Sequence, residues 1–438
     1  MDPDLKKKLE QYINRIKSNP SNPSNPGTHT HSQTAPDFNE PSGLEPAGSG
    51  PALQWSYEIP GSIVSINDQG SYIIIEERYP PAYLYGGSHL ARALDIQMNR
   101  FSRIFDAQTA QAACETALED YIFLDTETTG LSTGGGTVAF LVGTGFFDDG
   151  AFVLRQYFMR DYDDEPAMLF DLLKEFSRFK GVVSFNGRAF DWNLLHSRLV
   201  YNRMGRSLKR FVHLDLLYPS RRIWKAKLES CSLSSLEENI LGEFRAEDIP
   251  GAYIPSAYFR YLENRRLSEI KKILQHNQAD ILAMVALMSH INALLEDPVA
   301  SASDETELYG LARAFEAGGG QVGAVECFEA CIKGSSSYIR DVASKRLSWI
   351  YKRSGNYEKA VSHWEELLQD EGSYNIFPAI ELAKYYEHRA KDLHKALLAA
   401  SKAMQICLGA GMQSSRELDM LSHRIERLKQ KISRVSAT

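Results

Sequence analysis

The chain has 438 residues, 43% hydrophobic, 24% charged and 11% aromatic. That suffices for two or three domains at roughly 100–200 residues each and excludes a wholly disordered chain. A net charge of −7 argues against a generic nucleic-acid-coating protein but not against a local basic groove. Five scattered cysteines, Cys114, Cys231, Cys327, Cys331 and Cys407, form no CxxC pair, so reduced thiols in a cytoplasmic protein are expected. Apolar runs such as 281-ILAMVALM-288 fall short of the ~20 residues of a membrane span, and no membrane partner is expected.

In chain order, residues 1–17 read as a short polar helix. Residues 18–51 open with SNPSNPSNP and continue rich in Ser, Thr, Gly and Pro, the composition of a disordered linker. Residues 52–118 predict a β-hairpin over 62–79, turning at Asn67-Asp68-Gln69-Gly70, then helices over 87–105 and 107–118, all packed on the next domain. From 119 to 297 the pattern predicts strands at 121–126, 137–147, 151–159 and 181–185 and helices at 165–179 and 190–203. Such an order makes a mixed sheet with helices packed on it. The glycines 134–136 read as a flexible loop.

Beyond residue 300 the strands stop. Ala324, Ala360 and Ala396 recur every 36 residues, followed four residues later by Phe328, Trp364 and Ala400, each copy preceded by a helix break. This predicts tetratricopeptide-type helical repeats over 300–438.

The chemistry-bearing string is 123-FLDTETTGL-131. On a strand, Asp125 and Glu127 share one face, and two adjacent buried acids are costly unless a cation lies between them. A hard divalent ion, Mg²⁺ or Mn²⁺, meets that need; taken alone, the segment also reads as a strand-ending turn with a helix cap. In 182-VVSFNGRAFDWNLL-195 a strand runs into Asn186-Gly187 and a helix begins near Asp191. In 273-ILQHNQADILAMVAL-287, His276 and Asp280 lie four apart on one helix face. His213 and Asp215 alternate on a further strand and read as a structural hydrogen-bonded pair. Residues 198–227 carry nine basic side chains, among them Arg221, Arg222 and Lys225, against the single acid Asp215. This strip suits phosphate contact, with Trp192, Trp224 and Tyr218 placed to stack on bases.

The order Asp125, Glu127, Asp191, Asp280 resembles the four acids of the DEDD exonuclease superfamily. The segments 123-FLDTETTGL-131, 212-VHLDLLYPSRRIW-224, 231-CSLSSLEENILG-242 and 248-DIPGAYIPSAYFRYL-262 resemble the bacterial YprB-like family of ribonuclease-H-like proteins with C-terminal repeats. The resemblance implies an α/β ribonuclease-H-like domain, a mixed central sheet flanked by helices, followed by an all-α tetratricopeptide-like repeat domain that docks a protein partner. It implies a metal-dependent 3′–5′ exonuclease acting on single-stranded DNA or RNA ends with two Mg²⁺ or Mn²⁺ ions. Asp125, Glu127, Asp191 and Asp280 would hold the ions, His276 would act as general base, and Asn186 would orient the terminal nucleotide. The chain departs from proofreading-type members in placing its histidine four rather than five residues before the last acid. The alternative is an inactive scaffold acting through its repeats.

Overall fold

The structure, a computed structural model, describes residues 51–130, 136–204, 211–369, 375–409 and 416–436. The expected helix at 1–17, the linker at 18–50 and glycines 134 and 135 lie outside the described residues. Pro51, assigned above to the linker, instead begins a helix, Pro51–Glu58.

Seven strands form one mixed sheet. Its members are β1 (Ser62–Asn67), β2 (Gly70–Tyr79), β5 (Tyr121–Thr128), β6 (Ala139–Asp148), β7 (Ala151–Phe158), β8 (Gly181–Ser184) and β9 (Val212–Asp215), in the order β1-β2-β7-β6-β5-β8-β9. Pairing is antiparallel from β1 to β5 and parallel from β5 through β8 to β9. The small hairpin β3 (Leu84–Tyr85) and β4 (Ser88–His89) stands apart. The helix expected over 87–105 is broken into short turns at Leu90–Asp95, Met98–Phe101 and Ser102–Ile104, because Ile96 and Gln97 adopt extended backbone between them. The break lets Leu90, Met98, Phe101 and Ile104 all reach the core. The second expected helix stops early, spanning Ala107–Ala113 behind an Asp106 cap.

Helices α1 (Glu165–Phe176), α2 (Asp191–Tyr201) and α4 (Ile254–Asn264) share a core with Ile122, Leu124 and Val182, while α3 (Leu217–Trp224) shares one with Phe123 and Val183. These strand residues alternate between the two sheet faces, so the sheet is covered on both. The 29-residue α5 (Ser268–Glu296) lies against β5, β6 and β7. It is long and apolar enough to cross a membrane, which the separate apolar runs of the sequence concealed; in this fold Ile281–Ser289 are all buried.

The C-terminal part is helical: α6 (Glu305–Gly318), α7 (Gln321–Ile332), α8 (Ser337–Arg353), α9 (Tyr357–Leu367), α10 (Phe377–Tyr385), α11 (Leu393–Gly409) and α12 (Arg416–Ser436), each packed on the next. Ala324, Ala360 and Ala396 occupy the fourth position of α7, α9 and α11 and are fully buried, as are Phe328, Trp364 and Ala400 one turn later. Gly319, Gly355 and Lys391 take left-handed backbone in the breaks before them.

The described residues from Pro51 onward form one compact unit. One apolar cluster runs from Phe123 and Leu154 through Ile281–Ile291 to Leu311, Phe328 and Trp364. Gly310 and Gly318 of α6 lie so close to the carbonyls of Ile223 and Arg103 that a Cβ at either position would overlap them.

Candidate active site

Asp125 and Glu127 project from β5 onto the face crossed by α5, as strand alternation requires. The fully buried Asn277 Nδ2 donates to Asp125 Oδ2 at 2.8 Å. On the same helix, His276 Nε2 lies 3.9 Å from Glu127 Oε1 and 3.7 Å from Asp280 Oδ2. Four of the expected residues thus meet on one side of the sheet.

Asp191 arrives differently. It opens α2, whose Leu194, Leu195 and Leu199 pack with Ile122 and Leu124 on the other face. Its Oδ1 accepts from the hydroxyl of Thr126, which points away from Asp125 and Glu127. Its charge still acts on both acids. The turn before α2 is shaped by Asn186, in left-handed backbone at φ 67°, and by Gly187, where a Cβ would collide with Ser184 and approach Asp191 Oδ2 at 3.1 Å. Asp215 organises this turn by accepting from the backbone N–H groups of Asn186 (2.8 Å), Arg188 (3.1 Å) and Leu217 (3.1 Å). The His213–Asp215 pair expected from sequence does not form, because Asp215 is committed to these amides and His213 Nε2 to Ser184 Oγ at 2.7 Å.

Sequence reasoning missed what the 242–250 loop contributes. Asp248 Oδ1, a carboxylate oxygen, accepts from His276 Nδ1 at 2.8 Å, which turns Nε2 toward Glu127 and Asp280. Arg245 donates to Asp280 Oδ1 at 2.6 Å and pairs with Glu237 Oε2 at 2.5 Å. Glu237 also accepts from Tyr85 of the β3–β4 hairpin. The sequence signal was the charged run 243-EFRAEDIP-250 between apolar segments.

Burial, with the charges of Asp280 and Asp191, raises the Asp125 carboxyl well above its usual range, against the Asn277 hydrogen bond and Arg245. Glu127 is raised by burial and then by Asp125, Asp280 and Asp191. Asp191 is pushed up to about 6, chiefly by burial. Among the described residues no three such side chains converge into a finished metal cage. The donor set nevertheless fits a hard cation: carboxylates of one sign, Asp191 buried and Asp125, Glu127 and Asp280 half-buried, with Asp125 Oδ1 receiving no protein hydrogen bond among the described residues.

Residues 122–292 match the RNase H superfamily. The chain is also 34% identical over 314 residues to the uncharacterized protein YprB of Bacillus subtilis (strain 168), an alignment covering 71% of this chain and 75% of that protein. The chain belongs to the YprB-like family of ribonuclease-H-like proteins. Superfamily membership supports a nuclease-type hydrolase that binds nucleic acid. The matched span begins in β5 and ends in α5, so in this YprB-like chain it takes in every acid described above.

The basic strip is redistributed. Arg206, Lys209 and Arg210 lie outside the described residues. Arg198 is buried against Glu165, and Lys227 pairs with Asp304 at 2.9 Å. Trp192 packs against Phe176 and Phe211, and the buried Trp224 donates to Glu307 at 2.6 Å, so both are structural rather than base-stacking groups. Arg221, Arg222, Lys225 and Tyr218 remain exposed and bond none of the acids.

Proposed function

We propose that this protein is a metal-dependent 3′–5′ exonuclease that hydrolyses single-stranded DNA or RNA. The observation that carries the reading is the half-buried group Asp125, Glu127 and Asp280 beside His276, like charges whose partial desolvation calls for added cations. Asp125, Glu127, Asp191 and Asp280 would hold two Mg²⁺ or Mn²⁺ ions, which when bound supply Lewis-acid activation of water and stabilise the leaving 3′ oxygen. His276, held by Asp248 with Nε2 turned toward Glu127 and Asp280, takes the proton of the attacking water. Asn186, at the exposed turn before α2, orients the terminal nucleotide. Arg221, Arg222 and Lys225 contact backbone phosphates, and Tyr218 offers a stacking surface. The C-terminal hairpins serve as tetratricopeptide-like repeats for a protein partner, in the cytoplasm.

A second reading, an inactive scaffold, draws on the Arg245–Asp280 ion pair, which already neutralises one acid. The test is digestion of 5′-labelled DNA and RNA oligonucleotides with free or blocked 3′ ends in Mn²⁺. A ladder that vanishes when the 3′ end is blocked supports the exonuclease. Internal cuts contradict that polarity, and no cleavage of either substrate favours the scaffold.

A further inference from the structure

We infer that Gln156 and Asn277 form a polarised amide relay that orients the Asp125 carboxylate. In the sheet, Ile75 of β2 pairs with Gln156 of β7, Gln156 with Gly143 of β6, and Gly143 with Asp125 of β5. Residues paired in this way share a face, so Gln156 and Asp125 point to the same side across a glycine. Asn277 of α5 fills the space above that glycine, where any Cβ would overlap its amide.

The relay has a direction. Gln156 Nε2 donates to the Leu274 carbonyl at 2.8 Å and to Asn277 Oδ1 at 3.0 Å. Asn277 Nδ2 then donates to Asp125 Oδ2 at 2.8 Å. The Leu274 carbonyl only accepts, so Gln156 must turn its NH₂ inward; both of its hydrogens are then used. Asn277 must therefore present oxygen to Gln156 and hydrogen to Asp125. Reversing it would set two NH₂ groups face to face and a carbonyl against a carboxylate. Gln156 is 2% exposed and Asn277 0%, so water does not relieve either mismatch. Gln156, without touching Asp125, thereby fixes the direction of the Asn277 amide that holds Oδ2, and Oδ1 is left for a cation. It is a positioning residue.

The test is a double-mutant cycle on the full chain in EDTA, read by thermal melting, with Gln156→Met and Asp125→Asn. An asparagine at 125 presents donor or acceptor as needed, so it no longer requires the relay's direction. Gln156→Met should lower Tm by about 2–4 °C in the wild type and by less than half as much beside Asp125→Asn. Equal losses in both backgrounds would overturn the relay. Should Gln156→Met not fold, Gln156→Glu, similar in size but unable to donate when ionised, goes through the same cycle: a smaller loss beside Asp125→Asn supports the relay and equal losses overturn it. A calorimetric Mn²⁺ titration adds an arm that rests on the metal-dependent reading of this site: affinity should fall about tenfold in Gln156→Met and be lost in Asp125→Asn. Loss in Asp125→Asn with wild-type affinity in Gln156→Met overturns the positioning role. Coupled melting with Mn²⁺ binding untouched by either variant leaves the relay standing and removes the metal reading.

Discussion

Asp125, Glu127 and Asp191 carry a measurable pH signature because their folded-state pKa values are raised. A carboxyl raised on folding binds protons more tightly in the native state, so its stabilising contribution is full at low pH. It is lost as pH rises from the unfolded value near 4 through the folded one. Without metal, Asp125→Asn should therefore gain stability relative to wild type as pH rises above about 4, as melting at a series of pH values will show. Taking the difference cancels the half-buried His213, pushed down to about 4 by desolvation, which destabilises both proteins alike below pH 6.5. Arg245 offers a second test. Its removal strands Glu237, whose side chain is 1% exposed, so Arg245→Ala should lose about 3–5 kcal/mol in EDTA. If a divalent ion takes over at Asp280, added Mn²⁺ should raise Tm more in this variant than in wild type; an equal rise would show that Arg245 and the ion do not compete. The acids and His276 were legible because carboxylates and histidine at periodic spacing stand out from an apolar run. Arg245, Asp248 and Asn277 were not, because loop partners and neutral amides acquire meaning only through contacts distant in sequence.

At the scale of elements, α5 lies close to the sheet because β6 has glycines beneath it. A Cβ on Gly143 would overlap Asn277, and one on Gly145 would lie 2.7 Å from Ile281 Cγ2. Gly143→Ala should cost about 1–3 kcal/mol and reduce any Mn²⁺-dependent activity. Gly136→Ala, with nothing within 4 Å, should be neutral in denaturant melts. The sheet strands and the β1–β2 hairpin were readable from alternation and the Asn67–Gly70 turn, the β3–β4 hairpin was not, and the periodic alanines marked α7, α9 and α11. The break at Ile96-Gln97 was not, since no glycine or proline announces it and only burial of the flanking turns selects it.

For the whole molecule, the sequence placed a mixed-sheet domain at 119–297 and a separate repeat domain at 300–438. The structure instead runs one core through α5 into α6, tied by Trp224–Glu307 and by the close approaches of Gly310 and Gly318. Ending the chain at Asp297 would bare Ile223 and Trp224 of α3, on which α6 packs, so the fragment should aggregate. Size-exclusion chromatography showing a soluble monomer would contradict that shared core. A domain boundary is a statement about which apolar stripes face each other, and stripes along the sequence do not name their partners. Whether the acids clustered at β5 and α5 make a metal-dependent nuclease is decided by incubating end-labelled single-stranded DNA and RNA with the full-length protein in Mn²⁺, in EDTA, and with Asp125→Ala. Stepwise shortening from the 3′ end is expected in Mn²⁺ alone, abolished by EDTA and reduced by orders of magnitude in the variant. Cleavage that persists undiminished in Asp125→Ala would contradict a nuclease built on these acids.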